Sequence, residues 1–292
     1  MPFRGLPRRI ARRLVFILAV ALISTFITAV LIRLAPGYGV DEQELDSRLN
    51  HQSIQSLRES RLRDSNIFSA YVRYLNRLFH GDLGTSQSLK RPITQLLADR
   101  LPVTLQSISF GLAGGWMLGF ALALPAVLQR NSIYDFASTT VSSFFLCIPS
   151  AVLALIFFLV SGWVPIVIAL VIFPRVFRYV RNLLLQAYAL PHIITAKAKG
   201  LGASRILLWH ALPWAAPQLL ALLGVSVSMA IGATIPVEAM GDSPGVGQLA
   251  WQAAMARDLP LLLNLTLLVT MVTLLANSLG DAPASRIQEA AA

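Results

Sequence analysis

The chain has 292 residues, of which 55% are hydrophobic and only 13% are charged, and its mean hydropathy is +0.65. This composition excludes an ordinary soluble domain, and continuous apolar runs of about twenty residues favour transmembrane helices over the alternating strands of a barrel. The net charge of +10 lies in segments that flank these runs without interleaved aromatic residues, so it indicates membrane topology and excludes a nucleic-acid partner.

The first apolar run, residues 14–34, follows an arginine-rich N-terminus and is predicted to be an uncleaved first span. It is longer than the hydrophobic region of a signal peptide, and no small-residue cleavage site follows it. The basic flank places the N-terminus in the cytoplasm. Residues 1–35 are therefore interpreted as a cytoplasmic N-terminus with the first span.

Residues 36–101 are polar and of mixed charge, which predicts an extracytoplasmic domain. An amphipathic pattern within it predicts a helix that lies on the membrane surface or on the protein. Its apolar positions are Ile67, Tyr71, Tyr74, Leu75 and Leu78. A turn cluster follows at residues 81–86, and Pro92 is expected to open a short helix that ends near Pro102.

Residues 102–292 are predicted to hold five further spans. The second span, residues 103–128, has four glycines that pack against another helix or line a substrate path: Gly111, Gly114, Gly115 and Gly119. The third, residues 136–160, is broken by Pro149. The fourth, residues 164–177, is short, so its helix is expected to continue past the arginines at its inner end, Arg175, Arg178 and Arg181.

A polar and basic stretch, residues 191–213, separates the fourth span from the fifth. Pro191 suits the first turn of a helix, and Gly200 is a stop signal. The pattern therefore predicts a helix of about two turns that ends at a glycine bend. A second amphipathic helix is predicted to begin at Ser204, and Pro213 leads from it into the next span. A soluble partner would bind such a helix–turn–helix within the loop 186–213.

The fifth and sixth spans are predicted at residues 214–235 and 260–279, with an outer, re-entrant loop between them. Two carboxylates of this loop, Glu238 and Asp258, are expected either to make structural pairs, with Arg257 as a candidate partner, or to contact a partner protein. Six spans place both termini and the 191–213 stretch in the cytoplasm, where every short segment is basic.

Several kinds of chemistry are missing from the sequence. No lysine is followed by Ser or Thr, so the chain has no phosphate-binding Walker motif and is not expected to hydrolyse nucleotide. The histidines lack metal-ligand spacing, and no acidic residue lies at the middle of a span, as an ion-driven carrier would require. We therefore expect no catalytic residue, metal or cofactor in this chain. The driving energy comes from partner chains, or the chain is a passive pore.

Three separated segments carry patterns of one family. The first matches GDLGxS…P…RLPxTL, and its residues are Gly81, Asp82, Leu83, Gly84, Ser86, Pro92, Arg100, Leu101, Pro102, Thr104 and Leu105. The second places Ala196, Gly200, Leu212 and Pro213 at the spacing of EAAxxxG…LP. The third matches E…PGxG…RDxP, and its residues are Glu238, Pro244, Gly245, Gly247, Arg257, Asp258 and Pro260. Together they resemble the oligopeptide/dipeptide-type permease subunits of bacterial ABC importers.

This resemblance implies an all-α integral membrane protein with the type I importer permease fold of six spans, in the bacterial inner membrane. The implied partners are a second homologous permease, two cytoplasmic ATPase subunits that hold ATP and Mg²⁺, and an extracytoplasmic substrate-binding protein. The residues implied in ATPase coupling are His192, Ile194, Thr195, Ala196, Lys197, Lys199, Gly200, Leu212 and Pro213. Those implied in the extracytoplasmic signature and binding-protein contact are Gly81, Asp82, Leu83, Gly84, Glu238, Pro244, Gly245, Arg257 and Asp258.

Among the departures of the sequence from the family pattern are His210 in place of an isoleucine, and Gly241 and Ser243 in place of aromatic residues. Ile194 and Thr195 replace the glutamate and first alanine of the coupling motif, so an apolar contact with the ATPase is expected there. The outer connection between the third and fourth spans is unusually short. On the residues alone, an ATP-independent pore or scaffold subunit of a membrane complex stays open as the alternative function.

Overall fold

The computed structural model describes residues 6–34, 67–129, 131–160 and 163–291, and these residues are almost entirely helical. One isolated antiparallel bridge joins Thr85 to Pro92. The chain forms two compact units, Met1–Asp99 with Gln252–Met271, and Arg100–Trp251 with Val272–Ala292. The first part of the predicted extracytoplasmic domain, residues 36–66, lies outside the described residues.

The described helices follow one another in a fixed order. They are α1 (Leu6–Leu34), α2 (Ile67–Phe79), α3 (Ile93–Leu128), α4 (Ser132–Cys147), α5 (Ser150–Val160), α6 (Val164–Tyr188), α7 (Pro191–Ala198), α8 (Ala203–Ile206), a π-helical turn (Leu207–Ala211), α9 (Leu212–Met240), α10 (Val246–Met255) and α11 (Leu259–Ala291). The amphipathic helix expected near Tyr71 is confirmed as α2.

Four stretches of the described chain are long and apolar enough to cross a membrane: Ala11–Leu34, Ile93–Leu128, Ala203–Met240 and Leu259–Ser278. The pair formed by α4 and α5 makes a fifth if it counts as one span, and its helices meet at an angle of 97°. The break falls at Ile148 and Pro149, as expected from the proline.

Two helix ends predicted from prolines are wrong. No helix ends near Pro102, because α3 runs without interruption from Ile93 to Leu128. Similarly, α9 passes through Pro236 and ends at Met240, where Gly241 follows. Prolines are tolerated inside helices of this kind because neighbouring helices and side chains satisfy the freed backbone groups. The expected continuation of the fourth span past its arginines is confirmed, since α6 ends at Tyr188.

In the first unit, α2 packs against α1 through a buried hydrogen bond. The Tyr71 hydroxyl lies 2.8 Å from Thr25 Oγ1 and donates to the Leu22 carbonyl oxygen at 2.7 Å. Tyr71 also forms a small apolar cluster with Ala29 and Leu263. The amphipathic helix therefore lies on the protein.

In the second unit, α6 is the central helix of the core, and α3 and α9 pack along it. Three glycines of α3, Gly111, Gly115 and Gly119, approach α6 at successive turns. A Cβ at Gly111 would lie 2.6 Å from Ile168 Cβ, and one at Gly119 would lie 2.6 Å from Val176 Cγ1. These glycines let the two backbones pack closely, which supports helix packing over a substrate-path role.

Candidate coupling segment and buried carboxylate sites

The short helix α7 begins where the sequence requires it. Leu190 is extended, as a residue before proline must be, and Pro191 occupies the first helical turn. Ile193 and Ala196 are buried and point into the core of the second unit. One face of a two-turn helix is thus fixed to the core by two apolar side chains.

The C-terminus of α7 is closed by a Schellman motif centred on Gly200. The Gly200 N–H donates to the Lys197 carbonyl oxygen at 2.9 Å, and the Leu201 N–H donates to that of Ala196 at 3.2 Å. Gly200 has a φ of +75°, which a residue with a Cβ adopts only under strain. No atom lies within 4 Å of the position of a Cβ there, so the requirement for glycine is one of backbone conformation alone.

The remaining predicted coupling residues of α7 face solvent. His192, Ile194, Thr195, Lys197 and Lys199 are all exposed, and Ile194 retains 57% of its surface. The Lys197 ammonium lies 4.8 Å from the centre of the Tyr188 ring, a cation–π contact between α7 and α6. These residues therefore make up most of the exposed surface of α7 and its C-cap, with an apolar residue, Ile194, where the family motif has glutamate.

The second half of the segment differs from the predicted separate helix. The single turn α8 continues through the π-helical turn Leu207–Ala211 directly into α9. Leu212 and Pro213 lie in the first turn of α9, where the missing N–H of proline does not interrupt the helix. The stretch 203–240 is one continuous helical segment.

Glu238, near the end of α9, has no exposed surface. Its Oε1 accepts a hydrogen bond from the Thr104 hydroxyl at 2.8 Å, and its Oε2 accepts one from the Gly247 N–H at 2.6 Å. The Thr104 hydroxyl oxygen also accepts from the Val246 N–H at 2.7 Å. One buried carboxylate thus joins α3, α9 and the start of α10.

Two glycines allow the loop after α9 to pack closely against that helix, and Gly245 also makes room for the carboxylate. A Cβ at Gly245 would lie 2.5 Å from Glu238 Oε1, and one at Gly247 would lie 2.8 Å from the Ile235 nitrogen. The glycines of the PGxG pattern are therefore explained by close approach of the loop to α9. Pro244, between them and the end of α9, is exposed.

Asp258 organises a second buried cluster, in the first unit. Its Oδ2 accepts hydrogen bonds from the Ser86 hydroxyl at 2.5 Å, the Ser88 hydroxyl at 2.8 Å and the Ser88 N–H at 3.0 Å. Its Oδ1 accepts from the Leu261 N–H at 3.2 Å, so Asp258 also caps the N-terminus of α11. Asp258 is 1% exposed, and Arg257 is exposed and does not pair with it.

The predicted signature turn leads into this cluster. Gly81 and Gly84 have φ values of +76° and +78°, and the Asp82 carboxylate accepts a hydrogen bond from the Gly84 N–H at 2.8 Å. The Leu83 carbonyl oxygen accepts from the Asn264 amide at 3.0 Å. The turn is thus tied to α11 by its backbone.

The structure therefore places Glu238 and Asp258 in structural clusters, and leaves Pro244 and Arg257 as exposed residues of the segment between α9 and α11. Thr104 and Ser86 were part of the sequence pattern, yet only the structure shows that they are the partners of the two carboxylates. The described residues contain no group of three or more His, Cys, Asp or Glu side chains arranged to hold a metal ion.

Comparison with known proteins identifies similar chains. Residues 115–288 match the family described as binding-protein-dependent transport system inner membrane component. The chain is 31% identical over 238 residues to the oligopeptide transport system permease protein OppB of Haemophilus influenzae, covering 74% of this chain and 77% of that protein. The corresponding protein of Escherichia coli is 30% identical over 226 residues, covering 70% and 73%.

Among solved structures, the fold is similar to a chain of the MetNI methionine ABC transporter in an inward-facing conformation. The TM-score is 0.52 with 21% sequence identity, and the match covers 65% of this chain and 94% of that chain. At this identity, the likeness shows a shared helical fold.

Proposed function

Because this chain belongs to the family of binding-protein-dependent transport system inner membrane components, we propose that it is a permease subunit of an ATP-driven importer for peptides or similar small solutes. With a second, homologous permease it forms the translocation pathway. The names of the two OppB relatives support peptides as the substrate class.

The observation that carries the coupling role is the exposed face of α7. The helix is held to the core by Ile193 and Ala196 and closed by Gly200, so it is a short rigid element between α6 and α9. A partner that moves such an element transmits the motion to both adjoining helices as a rigid-body displacement. Two cytoplasmic ATPase subunits, which bind ATP and Mg²⁺, dock on this face in our proposal.

We further propose six spans. The four apolar stretches and the α4–α5 pair supply five, and α6 is the sixth, because it packs beside α3 along the glycine contacts described above. The arginines of α6 lower its apolar character without shortening the helix. In this arrangement the chain is a multi-pass protein of the inner membrane with both termini in the cytoplasm.

The outer surface contacts the substrate-binding protein in the same proposal. Residues 1–35 form the first span with its cytoplasmic flank, residues 36–101 an extracytoplasmic domain and residues 102–292 the permease core. Pro244 and Arg257 are exposed on the outer loop, whereas the carboxylates of Glu238 and Asp258 support the loop from within.

The test is co-purification followed by transport. The chain is expressed with its neighbouring genes, purified in mild detergent through a tag on this chain, and reconstituted into vesicles with the binding protein. We expect ATPase subunits to co-purify and a mixture of oligoalanine peptides to accumulate with ATP but not with ADP. Equal peptide flux with ADP, or a well-solubilised chain without ATPases, would instead support the pore or scaffold alternative.

A further inference from the structure

The second half of α6 presents a polar face to the outside of the second unit. Its exposed positions recur at helical spacing; five of them are polar, Arg175, Arg178, Tyr179, Asn182 and Gln186, and one is apolar, Leu185. Arg178 donates a hydrogen bond to the Ser143 hydroxyl at 2.9 Å, and Arg181 forms a two-point ion pair with Asp135. Arg175 has no hydrogen bond or ion pair with any described residue.

The depth of Arg175 follows from the packing of α6 on α3. The two helices run in parallel, with Gly111 beside Ile168 and Gly119 beside Val176. From Gly119 the apolar run of α3 continues for nine residues to Leu128, which is about 13 Å at 1.5 Å per residue. Because the hydrocarbon core of a bilayer is about 30 Å thick, Arg175 lies near its middle.

The contacts of α4 give the same depth independently. Asp135, in the first turn of α4, pairs with Arg181, and Ser143, eight residues further along, bonds to Arg178. The Ser142 hydroxyl donates a hydrogen bond to the Pro174 carbonyl oxygen at 3.2 Å, which places the two backbones at the same level. Because Ser142 is seven residues along α4 from Asp135, the backbone of Arg175, next to Pro174, lies about 10 Å from the level of Asp135.

A charged side chain at this depth has three possible surroundings: lipid, the second permease, or water. Lipid is unfavourable, because a central arginine costs about 2.5–3.5 kcal/mol even on insertion scales. Its extended side chain also covers only about half the distance to the headgroups. A polar face of three turns beside the hydroxyl of Ser143 is typical of a helix that borders a water-filled cavity.

We propose that Arg175, with Arg178 beside it, lines the translocation pathway and provides a positive site for a carboxylate of the transported solute. This inference rests on the proposed importer function and assigns its substrate an anionic group. The guanidinium fork binds carboxylates through two parallel hydrogen bonds, whereas a cationic group at the same place is repelled. The site therefore favours solutes with a free carboxylate, such as the C-terminus of a peptide.

The test measures the local charge by thiol chemistry in the complete transporter. In a Cys147→Ser background, which removes the single cysteine, Tyr179→Cys places a thiol on the same face one turn from Arg175. Reaction rates with anionic MTSES and cationic MTSET are measured in membrane vesicles of both orientations, each normalised to the rate with a free thiol. Asn182→Cys serves as a second reporter if Tyr179→Cys is not inserted.

The control is Met117→Cys on α3. Met117 lies two residues from Gly119, at the depth of Arg175, and it is 72% exposed on an apolar surface. We expect this thiol to be unreactive towards both charged reagents, whereas the Tyr179→Cys thiol reacts with both and prefers MTSES. Adding Arg175→Gln should lower that preference about three- to tenfold, and Arg175→Lys should preserve it.

Two results would overturn the inference. A Tyr179→Cys thiol as unreactive as that of Met117→Cys would show that the face is covered by lipid or by the second permease. A preference unchanged by Arg175→Gln would show that the arginine does not act on the pathway. ATP-driven uptake of oligoalanine peptides in the same vesicles distinguishes a failure of this inference from a failure of the proposed importer function. If uptake persists while either of these two results is obtained, only the role of Arg175 is refuted.

Discussion

Glu238 and Gly245 are packed so closely that the Glu238 carboxylate occupies the space that a side chain at position 245 would need. A Cβ on Gly245 would lie 2.5 Å from Oε1, and the carboxylate is held on its other sides by Thr104 and Gly247. The loop between α9 and α10 therefore has its position fixed by an acidic side chain that no solvent reaches.

Gly245→Ala should destabilise the protein by about 1–3 kcal/mol, because the added methyl group overpacks a site whose neighbours cannot move freely. The measurement is the midpoint of thermal unfolding of the purified protein in detergent. Gly232→Ala is the matched control, since nothing lies within 4 Å of its Cβ position and alanine favours the helix. Equal midpoints for the two variants would contradict the close packing of Gly245 on Glu238.

Thr104→Val should cost about 1–3 kcal/mol, because it leaves the Val246 N–H without an acceptor and removes one donor to Glu238. Valine keeps the shape of threonine, so the loss reports the hydroxyl. Thr104→Ser retains the hydroxyl and is expected to keep most of the stability, as measured by the same unfolding midpoint. A valine variant that unfolds at the same temperature as the unchanged protein would contradict this role of the hydroxyl.

Asp258 and Ser88 should show energetic coupling in a double-mutant cycle. Asp258→Ala removes the acceptor of three hydrogen bonds and the cap of α11, so its cost is expected to exceed that of Ser88→Ala. The loss of unfolding free energy in the double variant should be smaller than the sum of the losses in the two single variants by about 0.5–3 kcal/mol. Strict additivity would mean that the two residues do not interact in the membrane-embedded protein.

Gly119→Ala should be partly rescued by Val176→Ala. The new methyl group meets Val176 Cγ1 at 2.6 Å, and shortening the valine removes that overlap. We expect the double variant to unfold at a higher temperature than Gly119→Ala alone. A further drop on adding Val176→Ala would show that α3 and α6 do not meet at this level.

Gly200→Pro should uncouple ATP hydrolysis from peptide uptake while the protein is still inserted. Proline forces a negative φ and removes the N–H that bonds to Lys197, so the end of α7 loses its fixed geometry. Gly200→Asn is the control, because asparagine tolerates the left-handed conformation. The ratio of peptide transported to ATP hydrolysed should fall for the proline variant only, and normal transport by that variant would refute the coupling role.

The sequence alone predicted the features that depend on local chemistry. The lengths of the apolar runs predicted the four helical stretches that are long and apolar enough to cross a membrane, and Pro191 with Gly200 predicted both ends of α7. The break at Pro149 was also predicted, because a proline has no N–H to donate and its ring clashes with the preceding turn of a helix. The functional roles assigned to these residues stay predictions.

The features that the sequence did not predict depend on distant contacts. Pro102 and Pro236 look like helix ends in isolation, yet both lie within helices, since a helix packed among others loses less from a missing N–H. The partner of Glu238, Thr104, is 134 residues away along the chain, and no local pattern relates the two. The sequence therefore singled out Glu238 but could not predict which residue its carboxylate would bind.

The continuous helical segment Ala203–Met240 has a mechanical consequence. Its 38 residues extend over about 57 Å, from the glycine turn that closes α7 to the level of the Glu238 carboxylate. A tilt of only about 5° at the first end would carry the second sideways by about 5 Å, more than the length of the hydrogen bonds that Glu238 makes there. Such a displacement would break the hydrogen bonds of Glu238 unless Thr104 and Gly247 moved together with α9. The buried carboxylate therefore mechanically links the end of α9 to α3 and to the start of α10.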